Sequence, residues 1–363
     1  MGGSPPPEGE SERASLTPYS LLLTPHSMKP LYRNIFFLLG AIAVVIMLLT
    51  FDMDYSELWA HIRRAGWWFA AVVGVWVVIY FFNAISWYCI IRNGETPSPV
   101  ALSKVYKLTI SGFALNYATP CGLMGGEPYR IMELSPIIGT NRATSSVILY
   151  VMMHIFSHIC FWLASVVLFI VLYKADAAMW LLLVAVAAFC LFAIYFFIKG
   201  YKHGMIIKTL RVVGRIPWVG KYARRFSEKK QEQLLQIDQQ IAELHSKHSA
   251  SFYTSFLFEF SARVLTALEI YFILRILTND VNFFDCVLIM AFTSLFGNIF
   301  FFSPMQLGAR EGGFALSVSA LSISGAYGVY TSLITRVREV IWIIIGLALM
   351  RIGNGRKSVK KTE

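Results

Sequence analysis

Two polar, glycine-rich signatures about 180 residues apart, each set inside apolar sequence, constrain this chain more than any other feature. The first runs Asn116-Tyr-Ala-Thr-Pro120-Cys-Gly-Leu-Met-Gly125-Gly126-Glu127-Pro128-Tyr-Arg130, and the second Asn298-Ile-Phe-Phe-Phe-Ser-Pro304-Met-Gln-Leu-Gly308-Ala-Arg310-Glu311-Gly312-Gly313. In both, a proline precedes a glutamate by seven residues, with an asparagine upstream and glycines around the acid. Broken backbone and charge at bilayer depth are tolerated only where protein or a water-filled cavity satisfies the freed groups. Paired breaks in two halves of a chain therefore point to a transport-type site at their interface.

Composition places these breaks in a membrane. The chain is 56% hydrophobic and 15% aromatic but only 15% charged, with a mean hydropathy of +0.59, more apolar than a soluble core of this length requires. The net charge of +11 does not indicate nucleic acid. Most of it lies in residues 199–247 and 351–361, both flanking apolar spans, which is the positive-inside pattern with anionic lipid headgroups as the counter-charge. The five cysteines show no CxxC spacing and imply neither a disulfide framework nor a metal knuckle.

Residues 1–30, rich in Pro, Ser and Glu, are expected to form a disordered tail. The apolar run 31–51 reads as an uncleaved signal anchor, because Lys29 and Arg33 precede it and Asp52, Asp54 and Glu57 follow. Residues 67–91 return the chain to the cytoplasm. The next apolar stretch is too short and interrupted to cross, so residues 105–139 are expected to form a re-entrant helical hairpin. Residues 143–173 cross outward, and 178–198 cross inward to a basic cytoplasmic loop. The second half repeats the plan: 252–277 crosses outward, 283–327 forms a second hairpin, and 329–350 crosses inward to a basic tail at 351–363. The predicted fold is an all-α polytopic bundle spanning 31–350, with about six full spans and two re-entrant or broken hairpins, built as an inverted repeat. Charge bias also permits both hairpins to cross completely; either way they enter from opposite faces.

The run Asn116 to Arg130, the Pro-x3-Gly-x2-Glu-Gly run at Pro304 to Gly312 and the ending Arg336-x2-Glu339-x2-Trp342-x3-Gly346 resemble the lysylphosphatidylglycerol synthase transmembrane family, also called flippase-like domain proteins. The resemblance covers nearly all of residues 31–350. It implies a polytopic lipid-handling protein of the cytoplasmic membrane. It does not imply lysyl transfer, which in the founding type belongs to a soluble domain after the membrane region, whereas this chain stops at Glu363. No enzymatic activity and no cofactor is expected. In the span after the first motif, where the family would carry an acidic and basic pair, this chain reads Tyr150-Val-Met-Met-His154.

The charges carry a reading of their own. Glu127, Arg130 and Glu133 cluster in the first hairpin, Arg310 and Glu311 in the second, Glu259, Arg263 and Glu269 in one span, and Arg336, Arg338 and Glu339 in the last. A charge at the bilayer centre costs about 2.5–3.5 kcal/mol, so those kept at depth should be paired or face a cavity. Glu259 and Arg263, four residues apart, share a helical face. Arginine's planar fork matches phosphate, making Arg130 and Arg310 the expected headgroup contacts. The candidate substrate-binding set is Asn116, Pro120, Gly125, Gly126, Glu127, Arg130, Glu259, Arg263, Asn298, Pro304, Arg310, Glu311, Arg336 and Glu339, with Asn116 and Asn298 expected to close polar contacts across the breaks.

His154 and His158 have metal-like spacing but lack a third ligand and the HExxH glutamate, so they read as core or cavity-lining groups. Trp59, Trp67 and Trp68 read as an interfacial belt. Leu234, Ile237, Ile241 and Leu244 give residues 226–248 an apolar helical stripe, for packing on the cytoplasmic face or docking a soluble enzyme. The expected function is translocation of an anionic phospholipid or lipid-linked headgroup between leaflets of the inner membrane, with both termini cytoplasmic. A polyprenyl-phosphate-dependent transferase using Glu127 and Glu133, and a noncatalytic scaffold, are the alternatives.

Overall fold

The computed structural model describes residues 63, 65–92, 98–118, 125–203, 249–278, 280–299, 309–321 and 324–351, with isolated residues between 34 and 38 and between 231 and 239. The predicted tail at 1–30, most of the anchor at 31–51, most of the basic loop, residues 352–363, Pro120, Pro304 and Trp59 lie outside the described residues.

The described residues form helices and no strands. These are α1 (Trp67–Arg92), α2 (Leu102–Ala118), α3 (Gly126–Ile138), α4 (Thr140–Leu172), α5 (Ala177–His203), α6 (Ser249–Leu277), α7 (Phe283–Ile299), α8 (Ala309–Ala320) and α9 (Gly325–Arg351). The chain is an all-α membrane protein. Within α1, α4 and α5, the stretches Trp67–Arg92, Thr140–Leu172 and Ala177–Gly200 are long and apolar enough to cross a bilayer. Leu181, Val184, Phe192 and Tyr195 of α5 point outward, an apolar surface that water would not tolerate and lipid would cover. Helices α6 and α9, at 29 and 27 residues, match the others in length but carry the interior charges. Trp67 and Trp68 stand exposed at the start of α1, as an interfacial belt requires.

Helices α2, α3, α7 and α8 have 17, 13, 17 and 12 residues, short of the roughly 20 needed to span. They form two antiparallel hairpins. In the first, α2 packs on α3 and Lys104 pairs with Glu133 at 3.9 Å. In the second, α7 packs on α8 and Thr293 bonds Ser317 at 3.2 Å. Gly139, at φ 80°, takes the left-handed conformation that turns α3 into α4 without strain.

The two halves share one plan. Shifting the numbering by the 184 residues that separate Pro120 from Pro304 and Glu127 from Glu311 lays α1 on α6, α2 on α7, α3 on α8 and α4 on α9, every helix start agreeing within three residues. Packing follows the same exchange. Helix α1 lies on α2 as α6 lies on α7, α3 on α4 as α8 on α9, and α2 on α9 as α7 on α4. Each hairpin thus leans on the last helix of the other half: Ser111 donates to the Gly346 carbonyl at 3.0 Å, and the Trp162 indole to Ser294 at 2.9 Å.

The equivalent helices α1 and α6 meet face to face. Trp76 bonds Glu269 at 2.9 Å, Asn83 bonds Glu259 at 3.0 Å and Ser86 bonds Ser255 at 2.8 Å, so positions rise along α1 as they fall along α6. Equivalent helices running antiparallel are the signature of an inverted repeat. One apolar cluster gathers α1, α2, α3 and α4 around Trp87 and Tyr129, joined by Phe252 of α6 and by Ile343 and Leu347 of α9, and another gathers α4, α5, α6, α7 and α8 around Phe161 and Phe314.

Of the basic loop, Leu234 is buried and Gln236 accepts from Asn141 at the start of α4. That stretch packs on the bundle. The antiparallel register predicts that Ser86→Cys with Ser255→Cys, in a chain stripped of native cysteines, will crosslink on mild oxidation. The link should hold the halves together on denaturing gels after cleavage in the loop; a cysteine at Glu269 with Ser86→Cys should give none.

Candidate functional site

Both hairpins place a glutamate in the first turn of their second helix, Glu127 in α3 and Glu311 in α8, where the exposed N–H groups of a helix start favour negative charge. Around them runs a chain of side-chain contacts through the bundle interior.

In the first hairpin, Asn116 closes the break. Its Nδ2 donates to Glu127 Oε1 at 2.8 Å and its Oδ1 accepts from the Gly126 amide at 2.8 Å. A side chain on Gly126 would drive into the Gly112 carbonyl, so only glycine admits this approach of α3 to α2. Arg130 crosses the same gap. Its guanidinium lies 3.6 Å from Glu127 and donates to the carbonyls of Leu108 and Thr109. It also sits 5.4, 5.0 and 5.4 Å from the ring centroids of Trp87, Phe113 and Tyr150, within cation–π range. At 1% exposure, Arg130 is a pin between the hairpin helices rather than an open phosphate contact.

At the bundle centre, His154 stands where α4 faces α6. Its Nδ1 lies 2.9 Å from Glu259 Oε2, and its Nε2 meets Arg263 Nη2. An arginine can only donate, so Nε2 accepts and Nδ1 carries the proton toward Glu259, which also receives Asn83. Glu259 and Arg263 share a face as expected, but the histidine bridges them. His158 rests on the Trp162 ring at 4.6 Å. Among the described residues, no three His, Cys, Asp or Glu side chains are grouped to hold a metal ion.

The second half is more heavily ionic. Arg338, 2% exposed, donates to both Glu269 oxygens at 2.7 and 3.0 Å and stacks 3.8 Å over Trp76, whose indole donates to the same carboxylate. Arg338 also lies 3.9 Å from Glu339, and Glu339 accepts from Arg310. Glu311 accepts two bonds from Arg336, at 2.9 and 2.7 Å, and one from Ser332 at 3.1 Å. The second hairpin is thus tied to α9 by two separate ion pairs.

Tyr117, the residue after Asn116, lies at the end of α2 and keeps 39% of its surface accessible. Asn298 is exposed and bonds the Ser294 carbonyl of its own helix at 2.7 Å, so the expected symmetry of the asparagines fails: the shift that superposes the glutamates puts Phe300, not Asn298, opposite Asn116. Gly125 is buried at the foot of α3. The candidate set did not include Asn83, Trp76, Tyr117, His154, Glu269 or Arg338. Charge at depth in an apolar helix was the available signal for Glu269 and Arg338, Tyr117 lay inside the first motif and His154 was read as a core or cavity-lining group; nothing in sequence marked Asn83 or Trp76.

An all-helical bundle of two inverted halves, with ionic pairs held in its interior, defines a polytopic membrane protein. The chain matches the family described as "Lysylphosphatidylglycerol synthase TM region" over residues 37–347, and it belongs to that family. No curated protein and no solved structure matches it.

Breaking a buried pair strands its partner at about 3–5 kcal/mol, whereas replacing both members by apolar groups is often neutral. Glu269→Leu is therefore expected to lower Tm in detergent sharply, and Glu269→Leu with Arg338→Leu to recover most of the loss. Asn116→Ala should cost about 1–3 kcal/mol, since it leaves the buried Gly126 amide unpaired.

Proposed function

We propose that this chain moves a phosphate-bearing lipid headgroup between the leaflets of the cytoplasmic membrane, along the polar path between the two halves. The membership places it among membrane domains related to lysylphosphatidylglycerol synthases, a lipid-related setting. The observation that carries the reading is the set of guanidiniums held inside the bundle, Arg263 against His154, Arg338 against Glu269 and Arg310 against Glu339, while the outer face is apolar. Guanidinium forks match phosphate, and a headgroup crossing hydrocarbon needs such partners in place of water.

Each hairpin packs on the last helix of the other half, so a rocking of one half against the other would open the path to one leaflet at a time. The second hairpin carries the ionic ties that such a motion would exchange, Arg310 with Glu339 and Glu311 with Arg336. Lys and Arg excess in the loop and tail puts both termini in the cytoplasm. No chemical step is assigned to the site.

The test is transbilayer movement of acyl-labelled phosphatidylglycerol in proteoliposomes, read by dithionite quenching. Arg310→Ala and Arg263→Ala are each expected to slow movement at least tenfold while insertion is retained, with Lys restoring only part because it offers a point charge instead of a fork. Full rates in the double alanine variant would overturn the proposal. Cysteine labelling at Lys229 from outside sealed cells should fail; efficient labelling would reverse the orientation.

A further inference from the structure

His154 belongs to α4 but makes its polar contacts on α6. Its Nδ1 lies 2.9 Å from Glu259 Oε2, and its Nε2 accepts from Arg263 Nη2. Both oxygens of Glu259 are occupied in this arrangement, the other one by Asn83 of α1 at 3.0 Å. Arg263 is less well served, because its Nε is a buried donor without an acceptor. The side chain of His154 keeps 28% of its surface accessible, whereas that of Glu259 keeps none. The imidazole is thus the part of the cluster that a proton can reach.

An imidazole placed in this way has two states that exclude one another. While Nε2 accepts from Arg263, its lone pair is occupied and the ring is neutral; a proton on Nε2 turns that acceptor into a second donor, and two donors cannot face each other. Protonation therefore drives Arg263 off the ring and makes the bond to Glu259 charge-assisted. Charge follows the same exchange. Glu259, Arg263 and a neutral His154 cancel, so a bound proton leaves the cluster positive, a state costly in a water-poor interior unless an anion arrives with it. The freed guanidinium, already short of an acceptor, offers that anion its fork.

The surroundings leave His154 as the group that switches. Glu259 and Arg263 face it from α6. Arg130 of α3 stands behind two shared rings, 5.0 Å from Phe113 of α2 and 5.4 Å from Tyr150, which lie 5.8 and 6.2 Å from the imidazole. His158, one turn further along α4, rests on Trp162. Helix α1 contributes the uncharged Asn83, and α5 and α7 meet α4 elsewhere, through Phe197 on Phe156 and Ser294 on Trp162. Arginine keeps its proton throughout the working range, whereas imidazole changes charge between about pH 5 and 8.

Resting on the translocation reading and deepening it, we propose that headgroup movement is coupled to protons: His154 takes one proton on Nε2 as an anionic headgroup enters, yields Arg263 to the headgroup phosphate, and gives the proton up on the far side as Arg263 returns to the ring. The Nε2 lone pair forms the new N–H bond and the same bond breaks on release. One proton from water therefore crosses with each negative charge, and no other reactant is consumed.

Two measurements on the full chain test the coupling. In the first, dihexanoyl phosphatidylglycerol is titrated calorimetrically into protein in detergent at pH 7.5, in Tris and in HEPES, whose ionisation heats differ, so that the difference in binding heat counts protons. Uptake approaching one proton per lipid is expected for the unaltered chain and none for His154→Gln, whose amide keeps a donor for Glu259 and an acceptor for Arg263 but does not ionise. In the second, outward movement of acyl-labelled phosphatidylglycerol is followed in proteoliposomes held outside at pH 7.5, with the lumen at pH 7.5 or 6.0. The acidic lumen should speed movement at least threefold, nigericin should cancel the gain, and His154→Gln should bring the ratio of the two rates to one, while His158→Gln keeps it. Should His154→Gln not fold, proton uptake and the rate ratio of the unaltered chain still decide. No uptake, a ratio of one in the unaltered chain, or a ratio that survives His154→Gln would overturn the coupling and leave translocation standing. If no labelled lipid moves under either condition, translocation fails and the coupling fails with it.

Discussion

The pairing of Arg338 with Glu269 is the contact on which the rest of the bundle turns. An arginine in a water-poor interior is too costly to leave alone, and here it is met at both forks by a carboxylate, covered by the Trp76 ring and flanked by Glu339. That one constellation draws on α1, α6 and α9, so it fixes how the inverted halves face one another. Arg310 reaches the same site through Glu339 and brings the second hairpin with it. A purely apolar interface would pack as tightly but would slide, because dispersion contacts are many and individually weak. Ionic pairs have few satisfactory positions, and a ligand that offers new partners can exchange them.

The two hairpins solve one problem differently. Glu127 and Glu311 are equivalent under the internal shift, and both sit where a helix start favours an acid. Glu311 takes its cation from α9, in Arg336. The equivalent position on α4 is Met152, which has no charge to give, so the first hairpin supplies its own arginine three residues on. Arg130 neutralises Glu127 from within, and its equivalent in the second hairpin is Phe314, a buried core residue. The first hairpin is consequently a self-contained unit pinned by Asn116 and Arg130, while the second is bound to its neighbour. A rocking motion would meet its ionic resistance at the second.

Much of this was legible before any coordinates. The apolar runs and basic flanks marked α1, α4 and α5 as membrane helices, and the interrupted runs around Pro120 and Pro304 marked two helical hairpins. Seven-residue spacing from proline to glutamate gave the repeat, and helix boundaries throughout both halves respect it. The site was read less completely. Glu259 and Arg263 were placed on one face, but the histidine between them belongs to another helix. Arg130 carried the chemistry expected of a phosphate ligand, yet its donors are spent on backbone carbonyls and its faces on aromatic rings. Asn298 looked like the partner of Asn116 but stands on the outside of its helix.

Sequence alone determined that this chain lives in a membrane, that it is helical, that it is built twice over, and that it carries charge within its apolar helices. Each of these follows from local pattern: run length against bilayer thickness, the placement of Lys and Arg, backbone-breaking residues at matched intervals. Only the tertiary structure decided who pairs with whom. Glu259 lies over a hundred residues from His154, and Glu269 sixty-nine from Arg338; which of several carboxylates each arginine takes depends on the crossing of helices, and that is settled by packing across the whole bundle. The tie of Arg310 to Glu339 was hidden for the same reason, because a short hairpin helix is positioned by the helices it leans on and not by its own sequence.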